Sequence, residues 1–236
     1  MISRKLLPLL FPLAALAGEW VSLFDGKTPA GWRTQSKAAF PSHAWNIEDG
    51  AIHSIPTAPR VDLSTEGTYR NFELEFDWKI GRGANSGVKY LVFGMRPNPL
   101  VGRIDPEVPK ALGLELQLID DEKEPDARVH PSHATGAMYL FKAASNLPPL
   151  PVDTWHKAKI VVDGRKVEHW LDGRKVLEAD LESAELRAAM EAQTRPDIPK
   201  PRHLDELKTN PSKGYPIVLT HHGGHAWFRN IRLRQK

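Results

Sequence analysis

Residues 112–122 read LGLELQLIDDE. Glu115 and Gln117 interrupt a leucine run two positions apart, and Asp120 follows. Side chains alternate faces along an extended chain, so Glu115 and Gln117 share one face about 6–7 Å apart. Two readings follow. The face is solvated, as one face of an antiparallel sheet commonly is, or it is the polar floor of a site. Asp120, five positions after Glu115, falls on the leucine face of a regular strand unless a bulge re-aims it.

The pattern E-x-Q-x-x-D resembles the E-x-D-x-x-E of laminarinase-type glycoside hydrolases, in which two carboxylates about 5 Å apart act as nucleophile and acid. Gln117 stands at the middle acid, and an amide cannot transfer protons as a carboxylate does. A simple retaining mechanism is therefore disfavoured.

The run HHGGH brings His221, His222 and His225 together in sequence. Histidine can act as acid, base or metal ligand near neutral pH. Adjacent His221 and His222 face opposite ways on a strand, so only one of them can line a given site. GRGANSGVKY is a glycine-rich loop entering a strand; no helix is expected after it, as a phosphate-binding loop would require. Trp170, in VEHWLDG, is able to stack on a sugar ring, although strand tryptophans more often lie in a core. His130 and His133 read as loop residues, and no G-x-S-x-G element is present.

The elements that must position these residues are mostly strands. FELEFDWKI (72–80) alternates apolar and charged residues with period two. Further runs of strand character include 88–93, 112–119, 137–141, 157–162, 167–171, 175–178, 217–220 and 226–233. Asp49-Gly50, Asp163-Gly164 and Asp172-Gly173 are hairpin-type dipeptides, so 156–179 reads as a three-stranded meander. Many short strands with tight turns predict an all-β sandwich or jelly roll. One short helix is predicted near 184–193, capped by Ser183. Residues 94–110, 120–136 and 195–216 read as irregular loops, where binding residues concentrate.

Residues 1–17 have the layout of a secretory signal peptide: Arg4 and Lys5, an apolar stretch from Leu6 to Leu16, and small residues at Ala15–Ala17. Its apolar stretch is shorter than the roughly 20 residues needed to span a bilayer. The expectation is an exported, periplasmic or secreted protein with no membrane span after cleavage and a single domain over 18–236. Two units of the formal net charge of +3 sit on Arg4 and Lys5, so the remainder lacks the basic stripe of a nucleic-acid binder. The chain has no cysteine, which excludes disulfide frameworks, thiolate metal sites and cysteine nucleophiles.

Taken in order, LFDGKTPAGW, WNIEDGAIH, FELEFDWKI, GANSGVKY, LELQLIDDEKEPDA, TGAMYLF, VEHWLDGRKV and HHGGHAWFRNIRLR resemble the 3-keto-disaccharide hydrolase domain family. The likeness covers nearly all of residues 20–234. It implies a concanavalin A-like jelly-roll sandwich of two antiparallel sheets. It departs from the family pattern where Thr220 and His221 replace Gln and Asp of L-Q-D-H-G, and where Glu124 replaces the His of L-D-D-x-x-H-P-D-A. The resemblance also implies chemistry on glycosides oxidised at C3. There Glu115 would be base or polar anchor, His222 its acid/base partner and Asp120 a third candidate. Asn85, Ser86, Lys89, Gln117 and Trp170 would hold the carbohydrate. No organic cofactor is implied, while calcium is conceivable beside Glu115 and Asp120, since hard cations favour oxygen ligands. A non-catalytic carbohydrate-binding module and a structural envelope protein are the alternatives.

Overall fold

The structure is a computed structural model that describes residues 18–36, 39–96, 110–195 and 198–236. The expected signal peptide lies outside the described residues, as does most of the loop expected at 94–110.

In chain order the strands are β1 Val21–Ser22, β2 Trp32–Thr34, β3 Trp45–Glu48, β4 Ala51–Ser54, β5 Leu63–Thr65, β6 Phe72–Ile80, β7 Asn85–Arg96, β8 Lys110–Ile119, β9 His156–Asp163, β10 Lys166–Leu171 and β11 Arg174–Asp180. Helices α1 Ala184–Glu191 and α2 Pro201–Thr209 follow, then β12 Val218–His221 and β13 Ala226–Gln235. They build two antiparallel sheets. The larger runs β11-β10-β9-β6-β13-β4-β3 with β1 also on β13; the smaller runs β2-β5-β12-β7-β8. This is an all-β sandwich, as its strand pattern predicts.

The alternation in β6 sends Phe72, Leu74, Phe76 and Trp78 into the space between the sheets. Val88 and Tyr90 of β7, Leu114, Leu116 and Leu118 of β8, and Phe228 of β13 meet them there. Trp45, Trp78, Tyr90 and Phe228 are among the largest fully buried side chains. The burial of so many aromatic and branched groups drives the collapse of the two layers. Asp49-Gly50 and Asp172-Gly173 turn their hairpins with positive φ at both residues, the twist that a two-residue antiparallel connection requires.

Three sequence expectations are corrected. The helix capped by the Ser183 hydroxyl, which accepts from the Leu186 amide at 3.2 Å, ends at Glu191. A second helix, α2, occupies part of the stretch read as irregular. Its start is set by Pro201, whose fixed φ and missing N–H suit a first helical turn. The stretch 137–141 makes only isolated bridges, Met138 with Leu116 and with Lys142, so it lies along the edge of β8 without becoming a strand. No helix among the described residues is long and apolar enough to cross a membrane.

Candidate active site

Every residue of β8 is buried. Its leucines 114, 116 and 118 belong to the inter-sheet core, so Glu115 and Gln117 project from the other face of the small sheet. That face is not wet: Glu115 is 5% and Gln117 2% exposed. The chain after β8 folds back over it. The Gln117 amide donates to Ala137 O and the Tyr139 amide to Glu115 O, which drapes residues 137–139 beside the strand. The enclosed space is a cavity of about 450 Å³.

Register decides what else enters it. Lys89 of β7 sits opposite Glu115, Gly87 opposite Gln117 and Asn85 opposite Ile119. On the other side of β7, Thr220 of β12 pairs with Gly87. Asn85, Gly87, Lys89, Glu115, Gln117 and Thr220 therefore share one sheet face. Glu115 Oε1 accepts from the Thr220 hydroxyl at 3.0 Å, and Oε2 lies 3.6 Å from Lys89 Nζ. Lys89 also donates to Ala111 O at 2.9 Å. Gln117 donates to Asn85 Oδ1 at 3.3 Å. Gly87 is the condition for this arrangement, because a Cβ there would overlap the Glu115 carboxylate.

His222 lines the same cavity, whereas His221 turns into the interior. There it packs edge-on to Trp45 at 5.4 Å and its ring bonds to Ile55 O. Burial, reinforced by the positive charge of Lys110, holds the His222 imidazolium form well below the ordinary histidine range. The resident His222 is thus neutral, a proton acceptor or a neutral N–H donor.

Lys110 lines the cavity as well and forms a buried ion pair, Lys110 Nζ to Asp62 Oδ1 at 3.0 Å. Burial, the largest influence, opposes ionisation of Asp62, but Lys110 and Lys89, with His222, together outweigh it and keep the carboxylate charged. The second Asp62 oxygen is buried with no hydrogen-bond partner among the described residues.

Sequence reasoning did not single out the opposite wall. Tyr139 and Asp126 line it. The Tyr139 hydroxyl donates to Asp126 Oδ2 at 2.9 Å, and His133 Nδ1 contacts Asp126 Oδ1 at 2.9 Å. Burial first, then the carboxylates of Asp126 and Glu115, push the phenol far above its ordinary range. Tyr139 is a neutral donor at any physiological pH. The signal for this trio lay in EKEPDA, HPSH and TGAMYLF, but only the fold-back after β8 joins them.

Three of the expected site residues lie elsewhere. Asp120 ends β8 and caps a turn, its carboxylate accepting from the amides of Gly83 (2.7 Å), Glu122 (3.0 Å) and Lys123 (3.1 Å). Burial works against the charge, but these amides, Gly83 foremost, keep Asp120 ionised below its ordinary range. It borders a separate hollow, so Glu115 and Asp120 do not converge as ligands of one cation. Ser86 faces the core side of β7 and donates to Thr220 O at 2.7 Å. Trp170 is on the outer face of the large sheet, in another hollow.

A two-sheet antiparallel sandwich with a covered polar cavity on one sheet is the galectin- or concanavalin-like class of fold. A galectin-like protein of unknown function from Bacillus subtilis matches at TM-score 0.51 and 14% identity, covering 93% of this chain and 96% of that one. Sequence assigns the family. Residues 19–234 match the profile of the 3-keto-alpha-glucoside-1,2-lyase-like domain, and this chain belongs to that family. A 3-keto-disaccharide hydrolase of Bacteroides thetaiotaomicron is 30% identical over 229 residues, 92% of this chain and 79% of that protein. A candidate glycosyl hydrolase from Parabacteroides distasonis shares the fold at TM-score 0.72 and 24% identity, over 92% and 94% of the two chains.

Proposed function

We propose that this chain is an exported glycoside-processing enzyme that cleaves glycosides already oxidised at C3. The observation that carries the proposal is Glu115: a carboxylate 5% exposed, oriented by Thr220 and beside Lys89, in a cavity of sugar size. Family membership and the 3-keto-disaccharide hydrolase relative support the substrate class.

The chemistry follows from the substrate. A C3 ketone acidifies the C2 hydrogen. Glu115 takes that proton as general base, and the electron pair passes into the enolate of the C3 carbonyl. Lys89, together with the neutral N–H of His222, stabilises the enolate oxygen. The enolate then expels the C1 substituent, whose oxygen takes up the proton gained by Glu115, relayed through a water held at Tyr139. The proton taken from C2 is thus the one given to the leaving alcohol, so the first products are the alcohol and a C1–C2 enone. Addition of water across that double bond completes hydrolysis; release before addition makes the reaction a lyase. Gln117 and Asn85 anchor hydroxyls.

The test is incubation of the purified protein with a 4-nitrophenyl 3-keto-glucoside, unlabelled and deuterated at C2, with and without chelator. Release of nitrophenol, slowed by C2 deuteration and lost in Glu115→Gln, is the expected result. Release that Glu115→Gln leaves intact sinks the assigned base. Sugar binding without release or C2 exchange would instead favour a non-catalytic carbohydrate-binding protein. The departure at Thr220 bears on that second reading because it touches Glu115 directly, whereas His221 faces away.

A further inference from the structure

We infer that the outer face of the large sheet carries a second carbohydrate site, separate from the Glu115 cavity, which takes a neutral polysaccharide chain. A hollow of about 790 Å³ runs across this face. Its floor is β6 and β9, contributing Glu75, Asp77, Lys157 and Lys159. Trp20 stands at one end and Trp170 at the other. From β1 to β10 the path crosses β13, β6 and β9, four strand spacings or about 19 Å. That is a track for several linked sugars, not a pocket for one.

The chemistry of the track suits an uncharged polyol. Sugar rings present C–H faces that pack on indole, while their hydroxyls need donors and acceptors, and tryptophan combines an apolar body with a polar tip. Both indoles are half-buried and so keep part of their surface open. The floor carboxylates are neutralised in place: Glu75 pairs with Arg232 at 2.6 Å and Asp77 with Arg229 at 3.3 Å. The floor therefore offers donors and acceptors with no free carboxylate, and Lys157 and Lys159 stand across the strand from Asp77 and Glu75.

The bulge in β13 between Arg229 and Arg232 sets Asn230 in a left-handed conformation, φ 51°. Its amide points to Asp77 at 2.7 Å and borders the hollow. Bulges recur where a side chain must be re-aimed. Cations rest on the rings: the Arg232 guanidinium is 4.7 Å from the centre of Trp20, and Lys159 Nζ 4.5 Å from that of Trp170. Such contacts at exposed sites are worth about 0.5–1 kcal/mol, so a stacking sugar can displace the lysine.

The test is affinity electrophoresis of the purified protein through gels containing dextran, laminarin, xylan or polygalacturonate. The expected result is retardation by at least one of the three neutral polymers. Retardation should fall at least tenfold in apparent affinity in Trp20→Ala and Trp170→Ala, and persist in Trp170→Phe and in Glu115→Gln. Circular dichroism confirms that each variant is folded. No retardation by any neutral polymer overturns the proposal, as does retardation undiminished in the Trp20→Ala/Trp170→Ala double variant. Retardation by polygalacturonate alone also overturns it, since the face would then be reading charge. Persistence in Glu115→Gln separates this surface from the cavity chemistry, whose own failure would leave the retardation unchanged.

Discussion

The Thr220 hydroxyl reaches across β7, over the gap left by Gly87, to donate to Glu115 Oε1 at 3.0 Å. It fixes the carboxylate from a strand that is not adjacent to β8, so the proposed base is held by the sheet and not by a flexible loop. Thr220→Val keeps the shape and removes the donor. Hydrogen bonds to charged groups contribute about 1.5–3 kcal/mol. The expected outcome is a fall in kcat/KM of at least about tenfold and a melting temperature lower by about 2–4 °C per kcal/mol lost, measured by steady-state kinetics and calorimetry.

Gly87→Ala should separate fold from activity. The new methyl meets the end of a flexible side chain and not backbone, so Glu115 can swing aside while β7 keeps its pairing. Displacing a catalytic group by about 1 Å can cost about 100-fold. Kinetics should show a loss of that order, with circular dichroism unchanged.

Tyr139→Phe takes the donor from Asp126 Oδ2 and leaves the His133 contact in place. The cavity keeps its shape and loses the hydroxyl proposed to hold the proton-relaying water. General acid catalysis contributes about 100-fold or more, so kcat should fall by that order for a poor leaving group and much less for nitrophenol. Equal losses on both substrates would remove Tyr139 from the leaving-group step.

Lys110→Met tests the buried pair. It strands Asp62, whose side chain has no solvent exposure, and breaking such a pair from one side costs about 3–5 kcal/mol. Urea denaturation should show a loss of that size. The double variant Lys110→Met/Asp62→Leu should recover most of it.

Acid stability should depend on His169. It is fully buried, donating from Nδ1 to Gly136 O and accepting at Nε2 from the Tyr90 hydroxyl. Burial pushes its pKa down to about 4, against the opposing bond to Gly136. The unfolded imidazole takes its proton near 6.5, so below that pH the unfolded state binds more protons than the native state. Stability is therefore whole above about pH 6.5 and declines towards pH 4, by about 3 kcal/mol for this group. His53, His203, His221 and His222 are shifted in the same direction. His169→Gln should flatten part of the acid limb in urea titrations at pH 8, 6 and 4.5.

Local pattern alone determined much of this protein. Alternation in FELEFDWKI sets the central strand, the Asp-Gly pairs set the hairpins, and Ser183 sets the start of α1, because each depends on neighbours within a few residues. The face shared by Glu115 and Gln117 was legible for the same reason, as was the opposition of His221 and His222. α2 was hidden by its surrounding prolines, one of which begins it. Whether the Glu115 face is wet or covered depends on residues 137–139 returning along β8, a contact that spacing does not encode. The turn that takes Asp120 out of the cavity, the pairing of Tyr139 with Asp126 and the placement of Trp170 on the far sheet are likewise long-range. Side-chain direction is a property of the strand; what a side chain meets is a property of register between strands, and only the tertiary structure decides that.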